Sequence, residues 1–446
     1  MKRVVVIGGG FAGITAVRRL AREDLQVTLI DRSNHHLFQP LLYQVATAGL
    51  AAPSIAAPLR HILRRKRNVT VLMGEVSTID LATRFVSVDG QRIEFDFLLV
   101  ASGATHAYFG RDEWRQYAPG LKTLDDAFVI RRHILEAFER AEATSDDAAR
   151  DACLTFAVIG GGPTGVELAG TLAEIARHTL ANEFRRIDSR KARVLLVEAG
   201  PRLLSTFDER LSASARRQLE RLGVEVHTGH AVTAIGDGYL EFAGQHIVAQ
   251  TILWAAGVAA SPLGRQLGAE LDRAGRVRVA PDLSLPAHPE VFVIGDLATV
   301  LQDGKPVPGV AQAAKQMGAT AARNVMARIE NRPARDFRYR DLGALATIGR
   351  NSAVVQLPSL RFSGVLAWWF WLVLHIYFLI EFRSRLIVLI NWAWSYFTYA
   401  RGARIIIGNE SERDLHGSEK EGGTGKEGQA QSEARAQRRE AGPGRH

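Results

Sequence analysis

Two glycine constellations carry the chemistry that can be read first. Gly8-x-Gly10-x-x-Gly13 follows directly on Val4-Val5-Val6-Ile7, and Asp31 closes the next apolar run, residues 26–30. A side chain at such glycines would block a tight turn and hold the backbone away from a pyrophosphate. The helix opening behind them turns its positive N-terminus to the phosphates, and the strand-end carboxylate accepts ribose hydroxyls. Gly160-x-Gly162-x-x-Gly165 repeats the arrangement after residues 156–159, and Glu198 closes its next run, residues 194–197. A carboxylate there binds the 2′- and 3′-hydroxyls of NADH and repels a 2′-phosphate, which favours NADH over NADPH; Arg202 nearby works the other way. Two dinucleotide turns in one chain imply two dinucleotides. The simplest pairing is a resident FAD that carries hydride chemistry and a visiting nicotinamide that delivers it.

Other residues have two readings each. Gly295-Asp296 ends the buried run Val291-Phe292-Val293-Ile294; its acid either holds the ribityl hydroxyls of an extended flavin or serves a turn. Glu167 lies just beyond Gly165. It is either favoured by the helix N-terminal charge or points across a domain interface to flavin and nicotinamide. Gln312 and Gln316 are four apart and share one helix face. They either face solvent or donate their amides to quinone carbonyl oxygens. His35-His36 reads as a surface loop close enough to Asp31 for cofactor contact, and His375 as a satisfied or interfacial histidine. Arg64-Arg65-Lys66-Arg67 reads as a solvated helix end. No metal-ligand set is present.

These residues need repeated elements to hold them. Gly8 and Gly160 stand 152 positions apart, while Gly103 (in LLVASG) and Gly257 (in ILWAAG) stand 154 apart. Between the landmarks lie matching strands (69–73 and 224–227) and matching turns, Asp89-Gly90 and Asp237-Gly238. The expected fold class is α/β: two Rossmann-like dinucleotide-binding domains, the second inserted in the first. Residues 1–115 and 259–335 form the first domain and 116–258 the second. A helix is expected over 310–329, closed by Pro333.

The chain has 446 residues, 47% of them apolar and 23% charged, which excludes a wholly disordered or fibrous protein. A single cysteine, Cys153, excludes a redox dithiol within the chain. The first residues lack a secretory pattern, so folding is expected to begin in the cytoplasm. Residues 336–408 differ from the rest. They hold five of seven tryptophans, two apolar runs (365–380 and 386–400), and Arg361, Arg383, Arg385, Arg401 and Arg404 against Glu381. Sixteen helical residues span about 24 Å, short of a bilayer core of about 30 Å. A helical pair lying in one leaflet is expected; a homodimer interface or a buried core helix pair is the other reading of such a segment. The +9 charge gathers partly here, and no nucleic-acid signature accompanies it. Residues 409–446 read as a disordered tail.

Residues 4–13, Phe38-Gln39-Pro40-Leu41-Leu42-Tyr43-Gln44-Val45-Ala46-Thr47, residues 160–167, Trp254-Ala255-Ala256-Gly257-Val258, Ile294-Gly295-Asp296 and Ala311-Gln312-x-x-x-Gln316 together resemble the type II, non-proton-pumping NADH:quinone oxidoreductases. The resemblance implies FAD contacts from Gly8, Gly9, Gly10, Phe11, Ala12 and Gly13, and from Asp31, Arg32, Gln39, Val76, Ala101, Gly103, Asp296 and Ala311. It implies NADH contacts from Gly160, Gly162, Gly165, Glu198, Ala256 and Gly257. It places Glu167 near both cofactors and Gln312 and Gln316 at the quinone side. The implied reaction passes hydride from NADH to flavin and two electrons on to a membrane quinone. The implied location is the cytoplasmic face of the inner membrane, peripheral or monotopic. One rival is a soluble FAD-dependent NAD(P)H reductase serving an iron–sulfur protein, and another is a redox sensor that does not turn over. A sulfide:quinone oxidoreductase needs cysteines this chain lacks.

Overall fold

The computed structural model describes residues 1–21, 24–380, 382–399 and 401–406. The valine run after Arg3 becomes the centre of a five-stranded parallel sheet, with Val4, Val5 and Val6 buried on both faces. Its spatial order is Val291–Val293, Phe97–Val100, Lys2–Ile7, Leu25–Asp31, Val69–Met73. Strands buried on both sides need apolar residues without alternation, which is what VVVI, FLLV and VFV supply. Val291–Val293 pairs in register with Phe97–Val100, although a second sheet lies between them in the chain. That pairing is the insertion expected from the repeat.

The second sheet is again parallel, in the order Val224–Thr228, Arg193–Glu198, Thr155–Ile159, Thr251–Trp254. Each unit also carries a three-stranded antiparallel meander. In the first it is Val76–Asp80, Phe85–Val88, Gln91–Glu94; in the second it is Val232–Gly236, Tyr239–Phe242, Gln245–Val248. Both bulge in their first strand, at Val76/Thr78 and at Val232/Ala234. A bulge kept at the same place in both copies is a bend each unit needs. Where the chain passes between units, Ala104–His106 pairs antiparallel with Val258–Ala260.

The C-terminal region departs from the expectation of helices alone. It opens with an antiparallel meander, Ala344–Gly349, Ser352–Gln356, Arg361–Ser363, turned at Asn351 with φ of 58°. This sheet lies against the helix Pro163–Glu174, so closely that a Cβ on Gly170 would fall 1.7 Å from the Ile348 carbonyl oxygen. Two helices follow, Val365–Phe378 and Phe382–Thr398. Among the described residues no helix is long and apolar enough to cross a membrane. The first helix buries Ala367, Trp371, Leu372 and His375 and exposes Leu366, Trp369, Val373 and Tyr377. The second exposes Phe382, Leu386, Ile390, Trp394 and Phe397. Both outer stripes repeat at three or four residues, so each helix is apolar on both its faces.

Four of the five flanking arginines are engaged by the protein itself, contrary to the headgroup role that their positions suggest. Arg361, Arg401 and Arg404 pair with Asp208, Glu174 and Glu183, and Arg385 donates to the Leu379 carbonyl at 2.9 Å. Among the described residues only Arg383 of the five makes no such contact. Met1–Arg404 form one compact unit. Beyond it Ile405 and Ile406 are described, and both are exposed. Glu381 and the tail expected over 409–446 lie outside the described residues.

Candidate active site

The two glycine turns share one geometry, and it explains each glycine separately. Gly8 has φ of 98° and Gly160 of 110°; a Cβ on Gly8 would meet the Ala101 carbonyl oxygen at 2.3 Å, and one on Gly160 would meet Ala255 at 2.6 Å. A Cβ on Gly13 or Gly165 would sit 1.8 Å from the carbonyl oxygen of Gly8 or Gly160. Packing within the protein therefore demands the first and third glycines. The middle ones differ: around Gly10 and Gly162 nothing lies within 4 Å of the added atom. Open space beside the first turns of Phe11–Leu20 and Pro163–Glu174 is the cradle a pyrophosphate needs, so both turns fit a dinucleotide.

The strand-end acids repeat as well. Asp31 accepts from the Gly9 and Ser33 backbone N–H groups, and Glu198 from those of Gly161 and Gly200. Each carboxylate thus ties its strand end to the glycine turn. Arg202 donates to the carbonyls of Phe207 (2.6 Å) and Ser205 (2.8 Å). Its guanidinium is thus engaged by the protein's own backbone.

Around the first turn, Ala101 is buried and donates to the Ile7 carbonyl at 2.8 Å, and Gly103 takes a φ of 70° with open space at its Cβ position. Between them the Ser102 hydroxyl is buried without a partner, a donor that suits a polar ligand. Asp296 follows Gly295 (φ 73°) and carries a carboxylate without a hydrogen bond or ion pair among the described residues. Ala311 starts the helix Ala311–Ile329. Phe11 and Ala12 start Phe11–Leu20, Val76 opens its meander, and Arg32 is exposed. The Gln39 amide donates to the Lys122 carbonyl at 3.2 Å. Ala256 and Gly257 are half-buried beyond Thr251–Trp254, and Gly257 leaves room for the Phe109 ring.

His36 is not in a surface loop. It is buried in the strand His35–Leu37, its Nδ1 is 2.8 Å from the Gly9 carbonyl oxygen, and burial lowers its pKa to about 4. A neutral imidazole thus braces the turn from behind. Nothing in the spacing of the sequence separates His36 from His35. His375 is satisfied as expected, bonding the Trp371 carbonyl at 2.8 Å, with its pKa also lowered to about 4 by burial.

Glu167 is buried. It stands in the second turn of Pro163–Glu174, covered by the C-terminal sheet, and accepts from the Thr347 backbone. Burial pushes its carboxyl well above the usual range. Tyr43 lies within its electrostatic reach, and burial raises the phenol as well. The glutamine pair does something the sequence did not suggest. Gln312 donates to the Gly343 carbonyl (2.8 Å) and accepts from Leu342 N–H (3.2 Å); Gln316 donates to the Arg340 carbonyl and accepts from Arg340 N–H, both at 2.9 Å. Both amides pair like strand backbone with residues 340–343 and latch the connection to the C-terminal sheet. Each amide commits one of its two N–H donors to this latch.

The Phe38-to-Thr47 stretch also gains a visible role. Trp392 Nε1 donates to Gln44 Oε1 at 2.7 Å, and Gln44 Nε2 donates to the Tyr43 hydroxyl at 2.9 Å. Gln44, Trp371, Trp392, Arg350 and Arg401 line one cavity. Only tertiary contact brings them together.

Comparison with known proteins agrees with this geometry. Residues 2–318 match the family model of the pyridine nucleotide-disulphide oxidoreductases, and residues 342–399 match the NDH2 C-terminal domain. The type II NADH:quinone oxidoreductase Ndh of Mycobacterium tuberculosis is 44% identical over 429 residues, covering 92% of this chain and 91% of its own length. NdhA of the same organism is 47% identical over 423 residues, covering 91% and 89%. Among solved structures, NDH2 from Plasmodium falciparum in complex with NADH superposes with a TM-score of 0.81 at 19% identity, covering 91% of this chain and all of that one. The sulfide:quinone oxidoreductase of Aquifex aeolicus superposes less well, with a TM-score of 0.70 at 20% identity over 86% and 92%. With two repeated nucleotide turns, a C-terminal sheet closing on Glu167 and these relatives along nearly its full length, the chain belongs to the type II NADH:quinone oxidoreductases.

Proposed function

We propose that this enzyme oxidises NADH through one non-covalently held FAD and reduces a membrane quinone by two electrons, without pumping protons. The balance is simple: NADH releases a hydride, and the quinone gains two electrons and two protons, one of them drawn from solvent. When bound, FAD supplies the hydride-accepting centre that links a two-electron donor to the quinone. In our reading Gly8 to Gly13, Asp31, Arg32, Gln39, Val76, Ala101, Gly103, Asp296 and Ala311 hold it, from a domain of residues 1–115 and 259–335. Gly160, Gly162, Gly165, Glu198, Ala256 and Gly257 hold NADH, from residues 116–258. The protein contributes orientation and exclusion of water rather than a nucleophile. Glu167 is buried between the helix Pro163–Glu174 and the C-terminal sheet, and burial favours the protonated form of its carboxyl.

One observation carries the reading: two glycine turns of the same geometry within one compact unit, each with its middle glycine facing open space. The exposed apolar stripes of Val365–Phe378 and Phe382–Thr398 support seating on a lipid surface, since contiguous exposed apolar patches mark interaction sites. We place that surface on the cytoplasmic face of the inner membrane, where NADH is available. The test uses purified full-length protein in one cuvette. A bound-flavin spectrum that NADH bleaches and a short-chain quinone restores is the expected result. A bleached protein that quinone leaves colourless favours the soluble reductase of an iron–sulfur protein, and a protein that NADH does not bleach overturns both.

A further inference from the structure

The two glycine turns are alike in backbone, yet different groups hold their central peptides. In the first, the Gly9 N–H donates to Asp31, and the Gly9 carbonyl lies 2.8 Å from His36 Nδ1. In the second, the Gly161 N–H donates to Glu198, and the Gly161 carbonyl accepts from the Leu204 backbone N–H at 2.8 Å. Leu204 has a φ of 48°, a conformation that a branched side chain rarely adopts. One turn is therefore held by a side chain and the other by the main chain. A carbonyl oxygen can only accept, so the His36 proton sits on Nδ1. That leaves Nε2 buried without a partner among the described residues, in a residue only 2% exposed, with the Phe11 ring edge-on at 5.1 Å. A half-satisfied buried imidazole is costly, and local costs of this kind gather where a function needs them.

What the histidine achieves follows from peptide geometry. A planar trans peptide points its carbonyl and the next residue's N–H in opposite directions. Fixing the Gly9 carbonyl against His36 therefore turns the Gly10 N–H away from the imidazole. That N–H has no acceptor among the described residues, and the space beside the Gly10 Cα is open. Gly10 also caps the helix Phe11–Leu20, where backbone N–H groups and the helix dipole favour a phosphate. Leu204 sets the Gly162 N–H in the same way.

We propose that His36 is the positioning residue of the flavin turn: its Nδ1–H fixes the Gly9–Gly10 peptide in the orientation that presents the Gly10 N–H to the pyrophosphate of FAD. It touches no reacting atom and acts through Gly9. The inference rests on the reading that FAD occupies the first turn, and it adds the group that decides how firmly the flavin is kept. Because the main chain does the same task at the second turn, a change at His36 loosens one dinucleotide and spares the other.

His36→Leu and His36→Phe remove the donor, one with a smaller and one with a larger apolar group, and either decides should the other fail to fold. His36→Asn keeps an N–H donor on a shorter side chain. Each full-length protein is purified with flavin bound and diluted, and the flavin released is read by its fluorescence. For His36→Leu and His36→Phe the FAD Kd is expected to rise about tenfold, the effect of one lost hydrogen bond that leaves a buried carbonyl unmet. For His36→Asn it is expected to stay within about twofold of the wild type, since the donor is kept. The NADH KM of the flavin-loaded variants holds, whereas a general loosening of the fold moves both constants. Wild-type flavin retention in folded His36→Leu or His36→Phe overturns the assignment. So does a folded His36→Asn that releases flavin as readily as His36→Leu, because packing rather than the donor is then at work. A wild-type protein that carries no flavin is a separate result, and it overturns the reading underneath.

Discussion

At the scale of single residues, the glycines of one motif divide by physical reason. Gly13→Ala forces a Cβ against a backbone carbonyl that cannot move aside, so the protein is expected to lose roughly 3 kcal/mol of stability. Gly10→Ala meets no protein atom; its melting temperature without flavin should match the wild type while flavin per chain falls severalfold. Thermal melts and the ratio of flavin to protein absorbance check both, and equal effects at the two sites would refute the division. Glu167 gives a pH prediction. Its folded pKa is raised by burial, so the folded state keeps a proton that the unfolded chain has released above about pH 4.5. Stability from this group is present below that pH and is lost as pH climbs toward the raised folded value. Glu167→Gln escapes that loss. Its melting temperature relative to the wild type should climb by a few degrees between pH 5 and 8, and a flat difference would mean the carboxyl is ionised when folded. Asp31, Glu198 and the glycines were legible because spacing alone encodes them. His36 was not, since only the fold decides which of two adjacent histidines points inward.

At the scale of elements, the C-terminal helices invert the usual logic of a surface helix. Leu366 and Val373 sit 75% and 62% exposed on Val365–Phe378 while Trp371 and His375 are buried on its other face. Replacing both exposed residues, as Leu366→Glu with Val373→Glu, removes apolar area without touching the packed face. Co-flotation with phospholipid vesicles should fall at least tenfold, with the melting temperature little changed; unaltered flotation would assign the stripe to contact between copies instead. The sequence announced this region by its tryptophans and its short apolar runs. It did not announce the meander before them. Alternation in ALATIG and SAVVQ is a weak signal beside sixteen apolar residues, and its buried face has meaning only against Pro163–Glu174. The ion pairs of Arg361, Arg401 and Arg404 were equally illegible, because their partners lie more than 150 positions away in sequence.

At the scale of the whole molecule, the C-terminal region is part of the core rather than an appendage. Its sheet covers the helix that carries Glu167, and Arg401 and Arg350 both bind Glu174 on that helix. A chain lacking residues 337–404 uncovers Gly170, Val166 and their neighbours, and it is expected to aggregate or melt at least ten degrees lower. A truncated protein of full stability that still held flavin would show the two parts to be independent. The sequence by itself determined the duplicated strand–glycine–helix units, their insertion and the pair of dinucleotides, because each depends on local spacing and on apolar runs that repeat at one offset. The tertiary structure decided which glycines answer to packing and which face open space, and what the glutamine pair holds. Those outcomes depend on distances between groups far apart in the chain, and no local pattern of residues records them.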